Sequence, residues 1–166
     1  MKSMTKVVLA TLVVGFVSMG IPATYAAPTA GITVTVTLAE VISVSIDVPT
    51  WAIGQKALSE TAISALVTAT NDGNVTEDLA IKAADGAGAW TLGAVAGANQ
   101  FSLGLATSDP YATFVAMDKV GVALKAALAR NATQPFKMQY SMPVSDTKGG
   151  GVGQGFNVTV TASKTP

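Results

Sequence analysis

The stretch Thr61–Ala83 reads TAISALVTATNDGNVTEDLAIKA, two alternating runs separated by a turn signal. In the first run Ile63, Ala65, Val67 and Ala69 share one face of an extended chain; in the second, Leu79, Ile81 and Ala83 do so. A period of two marks a half-buried strand, because successive side chains point to opposite faces of a sheet. Between the runs stands Asn71-Asp72-Gly73-Asn74, residue types that tolerate the left-handed backbone of tight turns. The local reading is strand, turn, strand.

The same texture extends in both directions. Upstream, Ile32, Val34, Val36 and Leu38 alternate with Thr33, Thr35 and Thr37, and Ile42, Val44, Ile46 and Val48 alternate with Ser43, Ser45 and Asp47 until Pro49 ends the run. Downstream, Trp90, Leu92, Phe101, Leu103 and Leu105 stand in strand-like phase. FKMQYSMPV reads as a further strand ending near Pro143, and FNVTVTA as a last one, with Phe156, Val158, Val160 and Ala162 on one face. One segment is ambiguous: in MDKVGVALKAALAR the spacing of Val120, Leu124 and Leu128 suits a helix, whereas Val120, Val122 and Leu124 suit a strand. Its alanines favour a short helix over about 124–130, and Gly121 opposes an earlier start. Short strands with turns between them predict an all-β fold, an antiparallel sandwich of immunoglobulin-like or jelly-roll type, with that one short helix left open.

The first 26 residues read as a secretory signal. Lys2 and Lys6 form the positive start, Val7–Met19 is an apolar run short for a membrane span, and small residues lead to cleavage after Ala26. Cleavage after Ala27, and an uncleaved anchor helix, are the competing readings. Removing 26 of the 166 residues leaves 140, the size of one domain, expected over residues 27–166. Of the 10 basic side chains 8 then remain against 10 acidic ones, a net charge of −2. That excludes the usual basic nucleic-acid surface and gives no electrostatic reason to sit on an anionic membrane. The expected location is extracellular or on the cell surface, with no stable membrane span after cleavage. With no Cys, such a domain must be held by its core, its ladders or its neighbours.

Equipment for chemistry is sparse. Lacking both His and Cys, the chain lacks the commonest general base and the best nucleophile. Glu77 and Asp78 are adjacent, so in a strand they point to opposite faces; Asp109 and Asp118 have no recognisable partner, and all four read as solvated acids. KGGGVGQG resembles a phosphate cradle only in its glycines: Lys148 precedes them and a strand follows, so it reads as a flexible hairpin loop. Asp72, Asn74, Glu77 and Asp78 offer oxygen donors for Ca²⁺, but not at the spacing of an EF-hand, and a soluble turn is the plainer reading. Trp90 is expected in the core and Trp51, after Pro49, in a loop open to solvent. Asn74, Asn131 and Asn157 each begin an Asn-x-Thr triplet that could accept a glycan. No catalytic, cofactor-binding or metal-ligating residue is assigned, no cofactor is expected, and the chain is read as not an enzyme.

Three segments carry a resemblance. VTATNDGNVTEDLAIKA, WTLGAVAGANQFSLGLATS and FKMQYSMPVSDTKGGGVGQGFNVTVTAS together resemble secreted immunoglobulin-like β-sandwich proteins of bacteria and archaea, over roughly Thr61–Lys164. The matching positions are Asn71, Gly73, Asn74, Leu79, Trp90 and Val158–Ala162. More loosely, a signal followed directly by Thr/Val strands is similar to surface-filament subunits, the camelysin-type biofilm fibre proteins and archaeal bundling pili. The resemblance implies assembly by passing an N-terminal strand into the next subunit, and it brings no catalytic residue.

Two readings of Gly31–Leu38 follow. It is the first strand of its own sheet, or it is a donor strand whose Ile32, Val34, Val36 and Leu38 fill a groove in a neighbour. A heterologous contact of that kind propagates into a homopolymer. The leading expectation is an exported structural subunit of an extracellular filament or surface matrix. The alternative is a monomeric secreted binding module or adhesin that recognises a glycan or a surface protein.

Overall fold

The computed structural model describes residues 31–148 and 153–166. Residues 1–30, which include the segment read as a secretory signal, and the centre of the glycine loop, 149–152, lie outside the described residues. The chain divides into two units, Met1–Thr37 and Leu38–Pro166. Of the first, residues 31–37 are described; they form no strand, and their side chains are exposed.

The second unit is all-β, with no helix among the described residues. Its strands are β1 (Val44–Ile46), β2 (Thr61–Ile63), β3 (Val67–Asn71), β4 (Glu77–Ala83), β5 (Thr91–Gly93), β6 (Gln100–Ala106), β7 (Val115–Ala116), β8 (Val122–Leu128), β9 (Thr133–Ser141) and β10 (Val158–Lys164). They form two sheets, as a sandwich requires. The larger runs β1-β3-β9-β6-β5, with β2 also beside β9 and β7 beside β6; the smaller runs β10-β4-β8. Pairing is antiparallel except for β5 and β6, which run parallel from Thr91↔Gln100 to Gly93↔Ser102. The Asn71–Asn74 turn joins strands of different sheets and so is a crossover, not a hairpin.

The alternating residues build the core where the period of two places them. Phe101, Leu103 and Leu105 of β6, Phe136, Met138 and Tyr140 of β9, and Leu79, Ile81 and Ala83 of β4 belong to one buried cluster with Trp90, Leu92 and Leu124. Burying a side chain of this size stabilises by about 1.5–3 kcal/mol. The rings of Phe101, Tyr140 and Phe156 stack mutually, with centroids 5.0–5.4 Å apart. They tie β6 and β9 to the chain entering β10.

Three expectations are corrected here. The segment expected to favour a helix at 124–130 is strand β8 and the connection after it, paired with β4 from Ile81↔Val122 to Glu77↔Leu128. The register shifts twice along this pair, and at the irregularity Ala127 takes φ +49° and donates its N–H to Asp78 Oδ1 at 2.7 Å. Those shifts let Leu124 and Leu128 turn inward while Ala126 between them stays exposed, so an edge strand carries a helix-like spacing. The need of β4 for a second partner outweighs the helix preference of alanine.

The second correction is phase: Ser64 is buried and Ile63 exposed, so the predicted face of Ile63 and Ala65 is inverted. Ser64 takes the inward position because its Oγ accepts the Met138 N–H at 2.9 Å and donates to Ala65 O at 2.7 Å, bridging the break between β2 and β3. The third is length: of the alternating run 42–48 only Val44–Ile46 forms a strand.

Candidate assembly site

The NDGN turn grips the chain where the N-terminal segment enters the domain. Asn74 Oδ1 accepts the N–H of Val41 at 2.7 Å, its Nδ2 donates to Ala39 O at 2.8 Å, and its own N–H donates to Val41 O at 3.0 Å. The Asp72 N–H donates to Ser43 O at 2.9 Å, and Glu77 Oε1 accepts the Ser43 N–H at 2.9 Å. Residues 39–43 are thereby held extended by five main-chain contacts. Asn71, fully buried, fixes the turn itself: its Nδ2 donates to Val75 O and Leu128 O, and its Oδ1 accepts the Gly73 N–H, all at 2.9 Å. Gly73 has no room for a side chain, since a Cβ there would collide with Glu77 Oε1 and Val41 O. An ion pair of Lys164 with Glu40 at 2.6 Å sets this root beside the end of β10.

Glu77, read from sequence as a solvated acid, is buried at 0% exposure, and its Oε2 has no hydrogen-bond partner among the described residues. A buried carboxyl oxygen without a partner is costly, which makes the position a constrained one.

Beyond the root stand the apolar side chains of the N-terminal segment. Ile32 is 91% exposed, Val34 78%, Val36 85% and Leu38 77%. On the body of the domain, β1 and β10 are edge strands of the two sheets, and their Cα atoms approach within 8 Å. A cleft of about 640 Å³ opens alongside them, walled by Ile46 and Val48 on one side and Phe156, Val158 and Val160 on the other, with Phe136 reaching it from β9.

The remaining candidates are scattered. Asp78 caps the β8 irregularity and accepts from Thr165 Oγ1, while Asn74 and Glu77 are engaged with residues 39–43, so the expected oxygen donors point to separate partners. Asp118 Oδ1 accepts the N–H groups of Val120 and Gly121. Trp90 lies in the core and donates Nε1–H to Asp146 Oδ1 at 3.1 Å. Trp51 is half-buried and packs against the core, where a loop open to solvent was expected. Among the sequons, Asn131 and Asn157 are exposed, whereas the Asn74 amide is occupied in the root. A second cleft, of about 820 Å³, lies near Trp90, Tyr140 and Lys56. Burial there pushes the Tyr140 hydroxyl up to about 12.

No protein-family model matches the chain, and no curated protein matches it. The turn was legible from sequence, but its grip on residues 39–43 was not. A signal for it existed: Asn71 continues the inward phase of Val67 and Ala69, and Glu77 that of Leu79 and Ile81. Polar residues in core phase call for a buried partner.

Proposed function

We propose that this protein is an exported structural protein, the subunit of an extracellular filament or surface matrix that assembles by β-strand donation through Ile32, Val34, Val36 and Leu38. One observation carries the reading: four apolar side chains at strand spacing stand 77–91% exposed on a segment that pairs with no strand of the described chain. A contiguous apolar row in water is unfavourable and is characteristic of an interaction surface. The extended grip on residues 39–43 supports it further, because the donating segment then starts from a fixed point. A strand added to another subunit gains main-chain hydrogen bonds and buries its alternate side chains.

The test is negative-stain electron microscopy of the exported protein beside the Val34→Asp/Val36→Asp variant and a variant lacking residues 27–38. Filaments from the unaltered protein, lost in both variants while each keeps its cooperative unfolding transition, support donation. Dispersed monomers in every sample, or a truncation that unfolds, return the segment to its own domain and give the binding-module reading the lead.

A further inference from the structure

The donating segment needs a receiving edge, and β10 is an edge of the smaller sheet whose inward row is less covered than that of its neighbour β4. On its central strand β4 the inward row Glu77, Leu79, Ile81 and Ala83 is covered to 3% exposure or less. On neighbouring β10 the inward row, Phe156 just before the strand and then Val158, Val160 and Ala162, is only half-buried. The ladder of β10 is made with β4 alone among the described strands, so its other edge is unpaired. Along that edge lies the cleft between β1 and β10, and no charged side chain of the described residues lines it. The edge also lacks the usual guards against pairing: Val158–Ala162 contains no charge and no proline.

We infer that the edge of β10 from Phe156 to Ala162 is the acceptor for the segment Gly31–Leu38 of a second copy of this chain. The inference rests on the strand-donation reading and specifies where the strand goes. The two rows match in length and chemistry. Ile32 to Leu38 and Phe156 to Ala162 each span six residue steps, about 20 Å of strand, with four apolar positions at period two. Neither carries a charge, so no ionic group is stripped of water on docking. Side by side, the donor row lies against the half-buried row and is received by Ile46 and Val48 across the cleft. Thr33, Thr35 and Thr37 then stand beside Thr159 and Thr161 on the outer face, a favourable cross-strand pairing. The occupant is a second copy because every copy carries both the matching apolar row and a β10 edge with no partner among the described strands.

The chain contains no cysteine, so introduced thiols report contacts without background. Protein recovered after export of the full-length precursor carries Thr35→Cys in one sample and Thr159→Cys or Thr161→Cys in another; the samples are mixed, assembled and oxidised. The control partner is Ala116→Cys, an exposed position on β7 in the other sheet. Cα atoms of adjacent strands lie within disulfide reach, so one of the two β10 positions should yield a covalent dimer at least tenfold above the Ala116→Cys control. Filaments without that preference overturn the β10 acceptor and leave strand donation standing. A Thr35→Cys/Thr159→Cys or Thr35→Cys/Thr161→Cys double variant that closes its disulfide within one chain, at dilutions where the protein is monomeric, overturns acceptance between copies. Absence of filaments from the unaltered protein overturns the donation reading and this acceptor with it.

Discussion

The Glu77 carboxylate and the Ser43 backbone are joined across 34 positions by a 2.9 Å hydrogen bond, with Glu77 wholly buried. Replacing Glu77 with Ala leaves the Ser43 N–H without its partner and opens space beneath Gly73. A destabilisation of about 1–3 kcal/mol is expected, read from denaturant unfolding. Hydrogen exchange should locate the effect, with Ser43 losing protection while the amides of β9 keep theirs. Equal loss throughout the domain would show that the contact does not act locally.

Gly73→Ala presses a methyl group against Glu77 Oε1 and Val41 O. Because one of those atoms is main chain, relief requires a backbone shift, and a loss of about 1–3 kcal/mol is expected. Thermal unfolding measures it. An unchanged midpoint would mean that residues 39–43 yield to the added methyl group at no cost.

Ala127 holds φ +49°, a left-handed conformation that glycine adopts more cheaply than alanine. Ala127→Gly should therefore stabilise the domain by up to about 1 kcal/mol, whereas glycine in a regular strand would weaken it. Chemical denaturation distinguishes the two signs.

Burial raises the Tyr140 hydroxyl from 10.0 to about 12. The folded protein thus holds its proton more tightly than the unfolded chain does. The resulting stability is fully present below pH 10 and is lost as pH rises through about 12. Tyr140→Phe should flatten that alkaline decline in urea titrations run from pH 9 to pH 12. A decline of the same slope in the variant would assign it to other groups.

Asp85 is held below its ordinary 3.8 by the hydrogen bond from Lys119 at 2.7 Å, helped by the Leu92 N–H. Asp47 is lowered likewise by the Thr68 N–H. Here the sign is opposite: stability is present above 3.8 and is lost as pH falls through the lowered values. Asp85→Asn should reduce that acid dependence, and the change should shrink in high salt because the pair with Lys119 is exposed.

Legibility from sequence followed the range of the forces. The central strands β3, β4, β6 and β9 could be read because burial on one face imposes the period of two on their residues. β10 was legible for the same reason, although its row is only half-covered. The phase inversion at Ser64 depends on a hydrogen bond to Met138, 74 positions away, and no local pattern contains it. β8 was obscure because its two register shifts exist only in relation to β4. At the candidate site, the apolar row Ile32–Leu38 was visible and the turn was visible. The burial of Glu77 and the attachment of residues 39–43 were not, since both arise from pairing across more than 30 positions.

The turn holds residues 39–43 entirely through amide and carbonyl groups; the side chains of Ala39, Val41 and Ser43 take no part in those contacts. It fixes a path through the main chain alone, and Glu40, paired with Lys164, is the residue of the segment whose side chain adds an ion pair. Substitutions at Ala39, Val41 or Ser43 are consequently expected to leave that path in place. Which side chains the segment carries is thereby separated from where its main chain lies.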